Sequence, residues 1–571
     1  MPDINIRIAG AAGQGLLSAG KFFGKTCVRA GYHVFGVQDS MSRIRGGHNY
    51  FQLRISDKPV KAVSEGVDLL VTLHPEDINS DFADLTGGAL VLLDSETIKV
   101  KPDDTRVVDV KLKQIAKDAG GKPLYSNSVA LGFLCGFFDI DITILNTLFS
   151  ENFKEKATVK GNIDSALEGF KIGIKVRDSG NFKMPALKTL EAPSRMFVNG
   201  NEAAALGAIS GGLKFISCYP MSPSTGIITY ISHHDIKCGI IAEQAEDEIA
   251  AANQAVGAST AGVRSMTATS GGGMALMSET LSLCGIAEIP LVIVNCQRGG
   301  PGTGLPTRTE QSDLQFSVYT GHGEFPRAVL APANAEDAFY LTAQAFNIAD
   351  KYQIPVIVLS DQHIADSFYT VDIFKPEKIK FETSVASQDE LPQAEDYKRY
   401  LITKSGISPR AIPGKGPHLV MNDSHEHTED VHITEDSDVR VAMVQKRARK
   451  TLSLGDEFNL DIYGEESGDT VFTWGSTGDA VREAVISLKD QGINIKHIQM
   501  TQLWPFPAKQ VEEAVKGSSR IFTIEGNSTG QLASIIKTET SIKEIDFAGK
   551  YDGRPFIVNE LEIQLKKVVK S

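Results

Sequence analysis

Short apolar runs separated by amphipathic stretches recur along this chain, a pattern that predicts parallel strands buried on both faces and joined by helices. The first run, INIRIA at 4–9, leads into the glycine turn GAAGQG at 10–15 and a helical stretch over 16–30. Further runs at 68–73 (DLLVTL) and 89–93 (ALVLL) continue the alternation, and a β-rich run, YFQLRI at 50–55, precedes them. A polar stretch over 176–194, with Pro185 and Pro193, reads as a linker. A helix start at Gly200 then opens a second alternation, which contains IPLVIVN at 289–295 and ends on PVIVLS at 355–360. Over 377–438 periodicity weakens and proline, glycine, histidine and acids accumulate. A charged helix over 440–454 leads to a third alternation, with VFTWGSTG at 471–478, LWPFP at 503–507 and RIFTIEGN at 520–527. The expected fold class is α/β with three α/β domains: one over 1–180, a linker over 181–198, a doubly wound parallel sheet over 199–385, an irregular connecting segment over 386–455, and a third domain over 456–571.

Length and composition narrow the classes. A chain of 571 residues exceeds one core and accommodates three or four domains of about 100–200 residues. Its net charge of −13 argues against nucleic acid or an anionic membrane as the main partner. No apolar run reaches the length of roughly 18–20 residues that spans a bilayer, and the opening MPDINIR has no signal-peptide character. The cytoplasm is the expected location. Six cysteines (Cys27, Cys135, Cys218, Cys238, Cys284, Cys296) are scattered without any C-x-x-C, so no metal-ligand spacing for zinc or an iron–sulfur cluster is present. If this protein moves electrons, its redox centre lies on another chain.

Candidate chemistry gathers where strands end. The segment QRGGPGTGLPTRTEQSD at 297–313 leaves a buried strand and carries Arg298 and Arg308 among glycines. That position and charge suit a carboxylate or phosphate. The strand at 216–218 ends in YPMSPST, where Pro220 and Pro223 stiffen a turn bearing Ser222, Ser224 and Thr225. Held hydroxyls of this kind donate to a carboxylate, and the same turn also serves as a helix start. A third strand, at 240–242, runs into EQAEDE. Acids there complement a helix N-terminus, and one carboxylate desolvated at the strand end would suit a protonated ring nitrogen. TATSGGGM at 267–274 is a further strand-end loop, whose glycines allow close backbone approach by a flat ligand. In the first domain, GAAGQG has the spacing G-x-x-G-x-G rather than that of a dinucleotide fingerprint. The basic loop with Arg43, Arg45, Gly47 and His48 suits phosphates or a subunit boundary. His425, His427 and His432 lie in an acidic loop without a recognisable second shell, so no metal site is expected on this chain.

The order double-proline turn, acid, glycine loop, arginine loop resembles the α subunit of 2-oxoacid:ferredoxin oxidoreductases, thiamine-diphosphate enzymes related to pyruvate:ferredoxin oxidoreductase. The first 180 residues resemble the γ subunit of the same enzymes, with GAAGQG and RIRGGHNYFQLRIS as marks. The resemblance covers nearly the whole chain and implies a γ–α fusion of the 2-oxoglutarate or broad 2-oxoacid type. It implies a pyrimidine-type thiamine-diphosphate domain in the middle and a transketolase-C-terminal-like domain at the end. Glu246 would pair with N1′ of the aminopyrimidine, with Glu248 as the fallback. Tyr219, Pro220, Gly271, Gly272 and Thr303 would line the cofactor. Ser222, Thr225 and Arg308, or in its place Arg298, would bind the substrate carboxylate, and Arg43, Arg45, Gly47 and His48 would meet coenzyme A or a subunit boundary. Mg2+, the diphosphate site and an iron–sulfur cluster belong to a β subunit in this family, so an (αβ)2 heterotetramer with ferredoxin as electron carrier and coenzyme A as co-substrate is implied. The implied reaction is coenzyme A-dependent oxidative decarboxylation of 2-oxoglutarate or the reverse reductive carboxylation.

The chain departs from the family pattern at Met221 and Ser222, where isoleucine and threonine are usual, at Gly272 in place of proline, and at Gly302 in place of serine. Serine keeps the hydroxyl, so these changes bear on substrate identity more than on reaction class. Three other readings remain: the same chemistry on pyruvate, branched-chain or broad-range 2-oxoacids, a transketolase-like or aryl-pyruvate enzyme of the same cofactor class, and a non-catalytic nucleotide- or anion-binding module built on the first glycine turn.

Overall fold

The computed structural model describes residues 3–42, 46–73, 78–98, 104–387, 389–455, 457–464 and 468–570. The chain divides into two compact units. One comprises Met1–Val198, Ser367–Ile373 and Ile557–Asn559, and the other Asn199–Asp366, Phe374–Phe556 and Glu560–Ser571.

The first unit is built on β1 (Asp3–Ala12), β2 (His33–Asp39), β3 (Gly46–Ser56), β4 (Val67–Thr72), β5 (Leu85–Leu93), β6 (Val107–Asp109), β7 (Arg195–Asn199) and β14 (Phe368–Asp372). Their order across the sheet is β6-β5-β4-β1-β3-β2-β14-β7. The half from β6 to β1 is parallel. In the other half, β3 runs antiparallel to both β1 and β2. Alternation along β1 sends Ile4, Ile6 and Ile8 into the main core of the unit, with Arg7 between them. Arg7 is buried and its charge is met by Asp81 at 3.2 Å and Asp84 at 2.7 Å. Helices Ser126–Phe138 and Lys156–Asp178 pack with backbones in contact. A Cβ on Gly132 would run into the Ala166 carbonyl, and one on Gly169 into that of Val129. The stretch read as a linker is packed: Leu187 is buried, its N–H donates to the Phe138 carbonyl at 2.6 Å, and Arg195–Asn199 forms β7.

The second unit holds two sheets. Six parallel strands, β8 (Phe215–Cys218), β9 (Ile241–Gln244), β10 (Ser265–Thr269), β11 (Leu291–Gln297), β12 (Ala328–Leu330) and β13 (Pro355–Asp361), are joined at one edge by β18 (Gln502–Trp504), in the order β18-β12-β13-β11-β10-β8-β9. β18 comes from the third sequence region and pairs antiparallel with β12. The other sheet is β15 (Asp461–Tyr463), β17 (Ile495–Met500), β16 (Gly468–Trp474), β19 (Ser518–Glu525) and β20 (Asp546–Gly549), in that order. One core runs from Ala252, Met274, Leu291 and Ile293 through to Phe472, Trp474, Ile498 and Met500. Because of that shared core and of β18, the second and third alternations form one body. No helix among the described residues is long and apolar enough to cross a membrane.

The irregular segment between the sheets is anchored by buried charge. Lys446 and Lys450, one turn apart on helix Ser437–Leu454, each reach Glu288 at 2.5 Å, and all three side chains are almost wholly inaccessible to solvent. Arg399 donates to the Glu288 carbonyl at 2.8 Å and to Gln353 Oε1 at 2.9 Å. Burial raises the Glu288 carboxyl, but Lys450, Lys446 and Arg399 together hold it well below the usual carboxylate range. Burial and the neighbouring cations pull Lys450 down to about 7 against the attraction of Glu288. Replacing Glu288 by alanine strands those cations without a counter-charge, so Glu288→Ala should lower unfolding free energy by about 3–5 kcal/mol, read by denaturant titration. Since the folded value lies below the unfolded one, the Glu288 contribution is complete above pH 4.5 and is lost as pH falls through its folded value.

Candidate functional site

Chain order reverses within the parallel sheet of the second unit. From β8 the chain goes outward to β9 on one side, then returns to β10 on the other. The crevice outside the C-terminal ends of β8 and β10 is thus a switch point, where open α/β sheets bind ligands. The ends of β8, β9, β10 and β11 all carry residues singled out from the sequence.

At the end of β8 the turn is pinned from several sides. Ser224 Oγ donates to the Met221 carbonyl at 2.8 Å, and Asn201 Nδ2 to the Pro223 carbonyl at 2.9 Å. Arg298 Nη1, from the loop after β11, donates to the Ser222 carbonyl at 2.7 Å. Ser224 is therefore spent on the fold, while Ser222, Tyr219 and Pro220 are exposed and Thr225 is half-buried at the start of helix Thr225–Ser232. Burial lowers the Arg298 guanidinium from its ordinary value. A half-buried cation whose described partner is one carbonyl retains donors for an anion. Arg308 lies further along the same loop, half-buried, with its Cβ near Gly553. Thr303 is exposed at the loop tip.

At the end of β9 the desolvated carboxylate is Glu248, not Glu246. Asp247 takes the N-cap of helix Glu248–Thr260, its carboxylate accepting the Ala250 N–H at 2.7 Å. That cap sets the phase of the helix. Glu246 falls before it and is exposed, whereas Glu248 turns into the sheet and is 4% exposed. Glu248 Oε1 is buried and meets no hydrogen-bond partner among the described residues. A carboxylate oxygen left so costs free energy unless something else binds it.

The glycine loop after β10 explains itself residue by residue. A Cβ on Gly273 would strike Thr269 Oγ1 and lie 2.6 Å from Glu248 Cγ and 2.7 Å from its Oε1. A Cβ on Gly271 would strike the Asp313 carboxylate, 2.9 Å from its Cγ. Only Gly272 has nothing within 4 Å of that position. Two of the three glycines thus make room for protein carboxyls, and Gly272 alone faces open space for a flat ligand. Ser270 Oγ and Asn295 Oδ1, beside this loop, are also buried without a described partner.

The arginine loop is fixed at its far end by Gln311, which is 1% exposed. Its Oε1 accepts from Thr477 Oγ1 and the Gly526 N–H, both at 2.7 Å, and its Nε2 donates to the Trp474 carbonyl at 2.8 Å. Its own N–H donates to the Gly526 carbonyl at 2.7 Å, and Asn527 Nδ2 donates to its carbonyl at 3.1 Å. Neither Gln311 nor Asp313 stood out in the sequence as anything but loop polarity.

In the first unit, Arg43 and Arg45 lie outside the described residues. Gly47 has φ +74 and its missing Cβ faces Met41. His48 is engaged internally, with Nε2 3.2 Å from Asp81. The glycine turn lines a cavity of about 460 Å³ with Thr72, Asp94 and Asn127. In the second unit, His425 pairs with Asp423 at 2.8 Å, whereas His427 stacks on Tyr400 with ring centres 3.9 Å apart. No group of three or more histidine, cysteine or acidic residues suited to a metal ion occurs among the described residues.

A family described as pyruvate flavodoxin/ferredoxin oxidoreductase, thiamine diphosphate-binding, matches residues 206–446. Pyruvate ferredoxin/flavodoxin oxidoreductase matches 5–172, and pyruvate:ferredoxin oxidoreductase core domain II matches 469–561. A 2-oxoacid:ferredoxin oxidoreductase subunit alpha of a Sulfolobus species is 33% identical, covering 99% of this chain and 96% of its own. The 2-oxoglutarate synthase subunit KorA of Methanothermobacter marburgensis is 30% identical over 62% of this chain and 94% of its own. The structure of 2-oxoglutarate:ferredoxin oxidoreductase from Magnetococcus marinus, with 2-oxoglutarate, coenzyme A and succinyl-CoA bound, matches with a TM-score of 0.91 at 34% identity, covering 100% of both chains.

The glycine geometry is testable without any ligand. Gly273→Ala should lower the thermal midpoint by several degrees, because the new methyl would strike Thr269 Oγ1 and Glu248, whereas Gly272→Ala should leave it within about one degree.

Proposed function

The chain belongs to the 2-oxoacid:ferredoxin oxidoreductases as an α subunit, and on that premise we propose that its substrate is 2-oxoglutarate, decarboxylated oxidatively to succinyl-CoA or formed in the reverse direction. The observation that carries the site reading is the buried, unpartnered carboxylate oxygen of Glu248 at the switch point. The end-to-end likeness to a 2-oxoglutarate:ferredoxin oxidoreductase supports the choice of substrate.

The residues present fit thiamine diphosphate. Its aminopyrimidine ring asks for a buried carboxyl and an open, Cβ-free stretch of backbone; Glu248, packed against Gly273, and the unobstructed Gly272 one residue before it offer these. When bound, the cofactor supplies the electron sink that makes loss of carbon dioxide from a 2-oxoacid feasible. Glu248 holds a proton at the ring nitrogen and so governs the charge state of the ring. In this reading Tyr219, Pro220, Gly271 and Thr303 line the cofactor. Ser222 and Arg298 meet at one turn. In our reading they bind the substrate carboxylate, with Thr225 behind them and Arg308 as the second positive charge of the loop. Such positioning decides which face of the oxo carbon is presented. An iron–sulfur cluster that would take up the electrons and pass them to ferredoxin is one that we assign to a β partner, since this sequence has no C-x-x-C. The same partner carries Mg2+ and the diphosphate half of the site, in an (αβ)2 assembly located in the cytoplasm.

In the chain purified with its β partner, reduction of a low-potential viologen by 2-oxoglutarate should require coenzyme A and exceed that by pyruvate, 2-oxoisovalerate or indolepyruvate. A different preferred oxoacid would reject the substrate assignment. Glu248→Gln should lower kcat by at least about 100-fold. An equally large loss in Glu246→Gln, with Glu248→Gln active, would return the role to Glu246. Arg298→Ala should raise KM for the oxoacid by about 10–100-fold, the size of one charge-assisted contact. If Arg308→Ala alone has that effect, Arg308 is the carboxylate partner.

A further inference from the structure

The five-stranded sheet has a switch point of its own. From β16 the chain passes to β17 on one side and later to β19 on the other, and β16 runs parallel to both. The crevice outside the C-terminal ends of β16 and β19 is thus a second place where an open α/β sheet of this unit would bind a ligand. A residue of the chain itself fills it. Gln311, on the return limb of the arginine loop, is bonded to Trp474 and Thr477 at the end of β16 and to Gly526 and Asn527 at the end of β19. Two strand-end glycines make room for it: a Cβ on Gly475 would lie 2.5 Å from Gln311 Nε2, and one on Gly526 3.0 Å from its Oε1. Glycine serves here as it does in ligand crevices, by letting backbone come close to the guest. The grip continues downstream, where Gln531 Nε2 donates to the Ser312 carbonyl at 2.8 Å.

From this seat a run of hydrogen bonds leads back to the turn after β8. Upstream of Gln311, the Arg308 carbonyl accepts the Gly299 N–H at 3.4 Å, and the Gly299 carbonyl accepts the Leu305 N–H at 2.8 Å. The return limb is thereby paired with the outgoing limb, on which Arg298 donates to the Ser222 carbonyl. We propose that the five-stranded sheet is a socket for this loop and that Gln311 is a positioning residue: by occupying the crevice it sets how Arg298 and Arg308 are presented to the substrate carboxylate. This rests on the reading of those two arginines given above and asks nothing of the acids after β9. Gln311 is 1% exposed, so it acts through the loop and not on the substrate.

Hydrogen exchange and viologen-reduction kinetics of the assembly with its β partner test this with two variants. Thr477→Val removes one bond to Gln311 and leaves the sequence of the loop intact. Gln311→Met keeps the length of the side chain without its hydrogen bonds. Exchange of the amides over 299–310 should rise about threefold in Thr477→Val, the scale of one neutral hydrogen bond, and about tenfold in Gln311→Met, with β13 unchanged. KM for 2-oxoglutarate should rise about threefold and about tenfold in the same order, with kcat within about twofold of the parent. A role in folding alone would lower the active fraction, and so kcat, and would leave KM as it was. In Arg298→Ala, or in Arg308→Ala if that is the variant that raises KM, adding Gln311→Met should raise KM no more than about twofold further, since the group it positions is gone. Unchanged exchange in both variants overturns the proposal, and so does a full further rise of KM on top of the arginine change. A parent-like KM in Gln311→Met, where an arginine variant raises it, overturns the proposal and leaves the arginine reading standing. If neither arginine variant raises KM, that reading fails and the proposal with it, while exchange still decides whether the crevice holds the loop.

Discussion

The hydrogen bonds of Gln311 hold the arginine loop to the five-stranded sheet, and much of the site's geometry depends on that attachment. Both side-chain polar atoms and both backbone polar groups of this buried residue are satisfied, by Trp474, Thr477, Gly526 and Asn527. A buried amide with all partners met is rigid, because any displacement leaves several desolvated groups unpaired at once. Thirteen residues upstream, Arg298 is tied to the turn that bears Ser222. Two residues downstream, Asp313 reaches the glycine loop. A loop rich in glycine, with cis Gly300–Pro301 and positive φ at Gly302 and Gly304, is thereby held at both ends by bonds to different elements.

Much of this was legible in the sequence, and the part that was not has physical causes. Runs such as IPLVIVN and PVIVLS announced β11 and β13 because both faces of a parallel strand are buried. Strand-end loops were recognisable from glycine and proline, residues that punctuate any chain. Which of Glu246, Asp247 and Glu248 is buried was not legible, since it depends on which acid takes the N-cap, and Asp247 does. A shift of one residue in that cap would turn a different side chain inward. Asp313 and Gln311 were invisible for another reason: their partners Gly271, Gly526 and Trp474 lie about 40 to more than 200 positions away. β14 and β18 join sheets begun hundreds of residues earlier, which no local period records.

The buried charges at Glu288 teach a related lesson. On the pattern of the sequence, the helix over 440–454 is simply charged. Yet Lys446 and Lys450, one turn apart, point inward together because a single carboxylate waits between them, and Arg447 on the same helix meets Glu426 at 2.8 Å. The irregular segment over 386–455 is thus held by ion pairs and by Arg399, together with a small apolar cluster of Tyr400, Val431 and Met443. Ion pairs leave no hydrophobic period to read, and their cost of desolvation makes them selective for one arrangement.

The pairing of β12 with β18 also dictates an order of events as the protein is made. Ala328–Leu330 is a strand at the sheet's edge, and its outer neighbour, Gln502–Trp504, follows some 170 residues later. Until the ribosome has released that segment, the edge presents unpaired N–H and carbonyl groups to its surroundings. The first unit waits too, because its sheet needs Phe368–Asp372. Between about residues 215 and 372 a nascent chain of this protein therefore carries two unfinished sheets, and one of them stays open until Gln502–Trp504, each able to pair with a neighbour's strand on a crowded polysome. Shielding of both open edges until those late strands emerge is the condition under which the chain should be made without aggregation.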